Sequence, residues 1–179
     1  MQTKFNILFV LSTVIIVFQF CSKKGTVSTL TYSAINNAFG ARIDPFNLSN
    51  YANQFRPGYI TKDNTGSNPI SDSKATLGRV LFYDKNLSID NSISCGSCHR
   101  QEFAFSDTAT SSRGVDGGTT GRHSMRLINS RFGTETKFFW DERAVSLEAQ
   151  TTQPIKDHAE MGFSGVNGRP SISTLIKML

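Results

Sequence analysis

The pentapeptide Cys95-Gly96-Ser97-Cys98-His99 reads C-x-x-C-H and decides the fold of this chain. The pattern is typical of the attachment site of a c-type haem. Two thiols three residues apart share one turn of helix, so each can bond a vinyl group on one edge of a porphyrin. The following histidine is then carried under the ring as an axial ligand of the iron. The pattern predicts one covalently attached haem c, held by Cys95, Cys98 and His99.

Other uses of a C-x-x-C pair fit this sequence less well. A zinc half-site needs a second pair of ligands, and Cys21 is the only other cysteine. A thioredoxin-like redox pair needs a surrounding βαβ pattern, which the sequence lacks. A disulfide would leave the adjacent histidine without a role. These comparisons favour haem attachment.

The N-terminus has the features of an export signal. Lys4 precedes an apolar run from Phe5 to Phe20, and these 16 residues are fewer than the roughly 20 that a membrane-spanning helix needs. We therefore expect residues 1–21 to be a signal peptide, and the protein to be exported to the periplasm or anchored on the periplasmic side of a membrane. Cys21 resembles the lipidated cysteine of a bacterial lipoprotein, although the residue before it, Phe20, is unusually large. Lipidation with a membrane tether, a plain signal peptide and an uncleaved anchor all stay open.

Charge and composition exclude one class of partner. The formal net charge is +5, but no run of Lys or Arg is longer than Lys23-Lys24. Such scattered charge does not mark a nucleic-acid groove, so we expect no nucleic-acid partner. It is compatible with docking of an acidic redox protein.

The chain divides at a change in composition near residue 72. Residues 22–72 are rich in Ser, Thr, Asn and Gly, which predicts a linker and an irregular N-terminal segment with at most short helices at Ser33–Phe39 and Leu48–Phe55. Residues 73–179 are expected to form the haem domain, beginning with a helix capped by Asp72 or Ser73.

Within residues 73–179 the apolar spacing predicts several helices joined by long loops. The expected elements are a helix carrying Leu77, Val80 and Leu81, a turn at Asp84–Asp90, a short helix starting near Ser94, a loop at Ala104–Arg122, helices at Ser124–Phe132 and Ala144–Gln150, and a final stripe of Ile172, Leu175, Ile176 and Leu179. Nothing predicts a sheet. The class is mainly α, a cytochrome c-like haem domain with long irregular loops. Because the final stripe still continues at Leu179, we expect the chain to be C-terminally incomplete.

An ordered set of segments from residue 77 onward carries a family resemblance. The segments are Leu77–Phe82 with Asp84 and Leu87-Ser88; Ser94–His99; Phe105-Ser106-Asp107 with Gly114; Arg122 and Asn129; Phe139-Trp140-Asp141-Glu142-Arg143; Leu147-Glu148-x-Gln150; Gln153-Pro154-Ile155; and Glu160-Met161-Gly162. This set resembles the N-terminal, peroxidatic haem domain of bacterial di-haem cytochrome c peroxidases, the family that includes MauG-like proteins. The likeness covers more than half of the chain.

The resemblance implies roles for matching positions. His99 resembles the proximal ligand of the peroxidatic haem, Trp140 the tryptophan between the two haems, and Gln150 and Glu160 the distal pair that handles peroxide. The implied partners are hydrogen peroxide and a small electron-donor cytochrome or cupredoxin, and a homodimer stays open. A second haem c is expected in a full-length protein. In physical terms, peroxide reduction needs a proton moved between the two oxygens, which a carboxylate in a dry pocket can do.

Three positions depart from the family pattern. Counting back from Arg122 places Val115 where some members have a distal histidine, and valine cannot bind iron, which predicts an open site. His123 stands where the family has an asparagine ligand of calcium; imidazole is a poor calcium ligand, which argues against calcium here. Glu142 replaces the glycine of F-W-D-G-R, which we expect to be a tolerable surface change.

Other interpretations of the single residues stay open. Taken alone, a single Trp such as Trp140 is more often a core residue. Taken alone, Glu160 is more often a solvated carboxylate. His123 is interpreted as a surface or hydrogen-bonded histidine, and it could also ligate iron. Three functions follow from the sequence: a peroxidase, a MauG-like enzyme that oxidises a protein or small molecule, and a single-haem electron-transfer cytochrome c with a Met as second ligand.

Overall fold

A computed structural model describes residues 32–178 of the chain. Within that range six short α-helices are joined by long irregular segments, and extended pairing is limited to isolated bridges such as that between Arg100 and Ser106. The helices are α1 (Ser33–Phe39), α2 (Asp72–Tyr83), α3 (Cys95–Cys98), α4 (Leu147–Thr151), α5 (Gln153–Lys156) and α6 (Ile172–Met178). The described residues are thus helical with no sheet, as expected. The signal peptide and Cys21 lie outside them, and none of the described helices has the length and apolar character to cross a membrane.

The N-cap of helix α2 lies one residue before Asp72, the earlier of the two predicted caps. Ser71 is its N-cap, and the Ser71 side chain accepts a hydrogen bond from the Lys74 backbone N–H at 3.3 Å. The Asp72 carboxylate is used elsewhere, since its Oδ1 accepts the backbone N–H groups of Tyr51 and Ala52 at 2.7 and 2.9 Å. Those two bonds tie the backbone of Tyr51 and Ala52 to the first residue of α2. The prediction of a helix at Leu48–Phe55 is therefore wrong.

The prediction of a helix at Ser124–Phe132 is also wrong. Only a 3₁₀ turn forms there, at Ser130–Phe132. Asn129 adopts a left-handed backbone conformation (φ 58°), which an α-helix does not accommodate. Ser124 instead donates its hydroxyl to the Cys98 carbonyl at 3.0 Å, which ties this segment to α3.

The helix predicted at Ala144–Gln150 starts later than expected. Ala144 and Phe138 exchange backbone hydrogen bonds of 2.8 and 3.3 Å, so Ala144 belongs to an extended pair. Helix α4 begins after Ser146, whose hydroxyl accepts the Ala149 N–H at 3.1 Å. It ends before Pro154, as predicted; Pro154 lies in the first turn of α5, where a proline is tolerated.

The core lies beneath the loops that follow α2 and α3. Its buried members are Leu87, Ile93, Val115, Ile155, Met161, Phe163 and Leu175, with Leu81, Ile89 and Ile172 packed against them. The predictions that Leu175 of α6 and Leu81 of α2 face the core are confirmed. Ile176 and Leu77, predicted on the same stripes, are 67% and 58% exposed. Since Ile93 and Met161 also line the cavity described next, the core forms part of the wall of the site.

Candidate haem site

A cavity of about 640 Å³ lies beside α3. Its volume is within the range of small-molecule and cofactor pockets. The cavity wall includes all six residues that the sequence singled out for the site: Cys95, Cys98, His99, Trp140, Gln150 and Glu160. Residues spread over 66 positions of the sequence are thus brought to one cavity.

Helix α3 presents the two cysteines. The Ser94 backbone N–H donates to the Ser97 hydroxyl at 3.0 Å, which fixes the first turn. The two cysteines are not joined by a disulfide, and burial raises the pKa of each thiol. A Cβ at Gly96 would meet the Tyr83 ring at 2.7 Å, so α3 packs closely on the end of α2. The close packing holds the thiol-bearing turn in place.

In the described residues, one ring nitrogen of His99 is hydrogen-bonded and the other is not. Nδ1 lies 2.8 Å from the carbonyl oxygen of Phe105 and donates to it in the neutral tautomer that leaves Nε2 with a lone pair. Within residues 32–178 no group hydrogen-bonds to Nε2. A ligating histidine normally has this arrangement, with its other ring nitrogen held by an acceptor.

The Glu160 carboxyl is half-buried in the cavity wall. Burial raises its pKa, the negative charge of Asp157 raises it further, and Arg143 opposes the shift. In the described part of the chain its side-chain oxygens accept no hydrogen bond. The group therefore has the chemistry of an acid that keeps its proton to a higher pH than an exposed glutamate and can take it up and release it.

Gln150 and Trp140 line the cavity from different elements. Gln150 lies on α4, where its backbone N–H donates to the Ser146 carbonyl. Trp140 is 58% exposed, so the interpretation of this tryptophan as a core residue is wrong. Its Nε1–H donates to the His123 carbonyl at 3.0 Å, which fixes the indole. One aromatic side chain thus reaches both the cavity and the protein surface.

His123 is a hydrogen-bonded histidine, one of the two interpretations given for it. Its Nδ1 lies 2.6 Å from the Ala109 carbonyl oxygen and its Nε2 lies 3.1 Å from the Ser106 hydroxyl. Because both nitrogens are engaged, the interpretation of His123 as an iron ligand is wrong. Val115 is 2% exposed and packs in the core rather than lining the cavity.

The donor set fits a haem c. Two free thiols on one turn, a histidine with an oriented ring, and an adjoining apolar-walled cavity are what such attachment requires. Residues 32–178 contain no cluster of three or more His, Cys, Asp or Glu side chains arranged to hold a bare metal ion.

The sequence analysis missed two residues that shape the site. Asp157 lines the cavity and bonds to the backbone around Glu160. Asp157 accepts the N–H of Ala159, two residues on, which is the pattern of an Asx turn and a signal that could have been used. Phe105 orients His99 through its carbonyl, which depends on a positive φ of 57° that no sequence pattern indicated.

Comparison with known proteins agrees with the class that this site defines, a haem-containing oxidoreductase. A sequence model of the family described as "Di-haem cytochrome c peroxidase" matches residues 72–177. The chain is 39% identical over 98 residues to Methylamine utilization protein MauG of Methylorubrum extorquens, covering 55% of this chain and 27% of that protein. It is 34% identical over 93 residues to Cytochrome c551 peroxidase of Pseudomonas aeruginosa, covering 52% and 26% respectively.

A solved structure supports the same relationship. The crystal structure of a MauG-like protein associated with microbial copper homeostasis superposes with a TM-score of 0.57 at 39% identity, covering 69% of this chain and 39% of that one. The chain belongs to the di-haem cytochrome c peroxidase family, which is a family of enzymes. It spans about a quarter of the length of the curated relatives it matches.

Proposed function

We propose that this chain carries the haem site of an exported peroxidase that reduces hydrogen peroxide to two molecules of water with two electrons and two protons. Residues 73–179 form its haem domain, Cys95 and Cys98 hold haem c through thioethers, and His99 ligates the iron. The observation that carries the proposal is that Glu160 lines the same cavity as these three residues. Haem c supplies the redox-active iron.

Each remaining residue has a task that its surroundings support. Glu160 takes a proton from one peroxide oxygen and returns it to the other, and its raised pKa suits both steps. The neutral amide of Gln150 hydrogen-bonds peroxide without competing for that proton. Trp140 connects the cavity with the surface, where electrons arrive from a second haem or from a small cytochrome or cupredoxin.

The substitution Glu160→Gln tests this proposal. It keeps the size of the side chain and removes the proton-carrying carboxyl, so we expect peroxide turnover by the haem-loaded protein with a reducing partner to fall tenfold or more. The matched control is Glu102→Gln, since Glu102 is exposed, pairs with Arg100 and lies outside the cavity wall. Unchanged turnover in Glu160→Gln would contradict the role of Glu160.

A second candidate is a MauG-like enzyme that oxidises a protein or small molecule. It is favoured by Val115, which lies in the core at the position where some family members have a distal histidine and which cannot bind iron. Ferric high-spin iron that reacts with peroxide, together with oxidation of a co-substrate rather than turnover with a cytochrome, would select it. Low-spin iron that ignores peroxide would instead indicate an electron-transfer cytochrome, in which Met125 or Met161 of the cavity wall supplies the second ligand.

A further inference from the structure

Asp157 fixes the backbone on both sides of Glu160. Its Oδ1 accepts the N–H groups of Ala159 and Glu160 at 2.8 and 3.0 Å. Its carbonyl oxygen accepts the Gly162 N–H at 2.8 Å. One residue at the end of α5 therefore closes a tight turn, and Glu160 lies within that turn.

The turn is also held from the opposite side. The Val115 N–H is shared between the carbonyl oxygens of Ala159 and Glu160, at 3.1 and 3.2 Å. At Gly114 a Cβ would lie 2.0 Å from the Ala159 carbonyl oxygen, so the two backbones are in direct contact. The backbone of Glu160 is thus clamped between a carboxylate and a second loop, which limits where its side chain can point.

Asp157 also brings a negative charge to the cavity wall that Glu160 occupies. The charges that act on Glu160 are Asp157, which favours its protonated form, and Arg143, which favours its ionised form. Other titratable or charged groups on the wall are Cys95, Cys98, His99, Arg113, Arg122 and His123. Arg143 is itself engaged with Asp141 at 2.8 Å, which tempers its influence on Glu160.

We propose that Asp157 is a positioning residue, which aims the Glu160 side chain into the cavity through its two backbone hydrogen bonds and keeps a like charge beside it. This inference rests on the proposed function, because the residue that Asp157 positions is Glu160. The geometry and the charge are separable, because an asparagine retains the Oδ1 acceptor and lacks the charge.

The experiment compares Asp157→Asn with Asp157→Ala in the haem-loaded protein. In Asp157→Asn the infrared carbonyl band of protonated Glu160, identified by its absence in Glu160→Gln, should titrate at least about 0.5 pH unit lower. The pH profile of the peroxide reaction should shift by the same amount. In Asp157→Ala, amide hydrogen exchange of the segment around residues 159–162 should rise about tenfold, because bonds to a charged acceptor are lost. The control is Asp44→Asn, an exposed turn aspartate that accepts the Phe46 N–H at 2.9 Å.

Two results would overturn the proposal: an unshifted Glu160 titration in Asp157→Asn, or unchanged exchange in Asp157→Ala. Failure of the proposed function looks different. If titration and exchange move as expected while the peroxide reaction is indifferent to Glu160→Gln, Asp157 still positions Glu160, and it is the peroxidase role of Glu160 that fails.

Discussion

The Nδ1 atom of His99 lies 2.8 Å from the carbonyl oxygen of Phe105. This contact exists because Ala104 and Phe105 both adopt positive φ angles of 57°, which fold the chain after α3 back on itself. The Arg100 N–H donates to the Ser106 carbonyl at 2.8 Å and closes that loop. Two residues in a conformation that costs energy for side chains other than glycine thus determine the tautomer of the candidate iron ligand.

The substitution His99→Ala should remove the nitrogen ligand while leaving both cysteines for attachment. We expect the absorption and electron paramagnetic resonance spectra of the haem-loaded variant to change, and added imidazole to restore them, because it can occupy the vacated position. His158→Ala is the control, since His158 is exposed and bonds to the Ser164 hydroxyl. A His99→Ala spectrum identical to that of the unaltered protein would exclude His99 as the ligand.

The substitution Gly114→Ala should lower the free energy of unfolding of the protein. The new Cβ would lie 2.0 Å from the Ala159 carbonyl oxygen, and backbone atoms on both sides cannot move independently. We expect a loss of about 2 kcal/mol or more in urea unfolding, at the upper end of overpacking costs. Gly66→Ala is the control, since no atom lies within 4 Å of its Cβ position. Equal stability of the two variants would show that the two loops do not approach this closely.

Local signals in the sequence predicted some helices correctly and failed for others. Helices α2 and α6 follow apolar spacing, and α2 and α3 begin after serine caps; both signals act within a few residues. The segments Leu48–Phe55 and Ser124–Phe132 have comparable local composition, yet neither forms the predicted helix. In the first, the Asp72 carboxylate, about 20 residues away in sequence, captures the N–H groups. Such long-range hydrogen bonds leave no periodic signal in the chain.

The site could be predicted further than the fold. The C-x-x-C-H motif carries its own chemistry, and the family resemblance supplied Gln150, Glu160 and Trp140, which line the same cavity as the motif. The exposure of Trp140 and the double engagement of His123 could not be predicted, because both depend on how loops far apart in sequence meet. The influence of Asp157 on Glu160 is likewise visible only once the turn is formed.

Glu142 strains the backbone where the resembled family has glycine, whereas its sequence position led us to expect a tolerable surface change. It adopts φ 55°, in the left-handed region that favours glycine, at the position where the resembled family has Gly in F-W-D-G-R. Glu142→Gly should stabilise the protein by about 0.5–1 kcal/mol in urea unfolding. The matched Glu148→Gly should destabilise it by about 1 kcal/mol, because Glu148 lies inside α4. A loss of stability in Glu142→Gly would contradict the strain.

An ion pair between Asp63 and Arg131 joins the segment before α2 to the loop after α3. The Arg131 guanidinium donates to both Asp63 oxygens at 3.1 and 2.7 Å and, with bonds from Thr65, holds the pKa of Asp63 well below its usual range. A carboxyl with a depressed pKa stabilises the fold above about pH 4, and that contribution is lost as the pH falls further. Asp63→Asn should therefore increase proteolysis near residues 51–70 at pH 7.

The effect of Asp63→Asn should shrink as the pH falls below about 4, because the carboxyl of the unfolded chain then binds a proton, and it should vanish once the pH is also below the depressed pKa of the folded state. The control is Asp84→Asn, which removes a carboxylate charge at a side chain that accepts a local bond from the Asn86 N–H and forms no ion pair to another segment of the described residues. Proteolysis of Asp63→Asn at the unaltered rate at pH 7 would show that the ion pair does not attach the segment.

We expect the ionised Glu160 carboxylate to lower the free energy of unfolding of the protein. Because burial raises its pKa, ionising Glu160 is harder in the folded than in the unfolded chain. A raised carboxyl pKa leaves stability intact below about pH 4, where both states are protonated, and reduces it as the pH rises toward the folded pKa. Glu160→Gln removes this penalty, so the variant should melt at a higher temperature than the unaltered protein at pH 8 and at the same temperature at pH 3.5.

The control for this measurement is Glu102→Gln. A hydrogen bond from its own backbone N–H and a second one from Arg100 hold the pKa of Glu102 below its usual range, so removing the charge of Glu102 should not raise the melting temperature at pH 8. If Glu160→Gln melts no higher than the unaltered protein at pH 8, Glu160 is solvated in the native state and lacks the raised pKa. If it melts higher and also turns over peroxide at least tenfold more slowly, the same desolvation that destabilises the native fold supports the proton transfer.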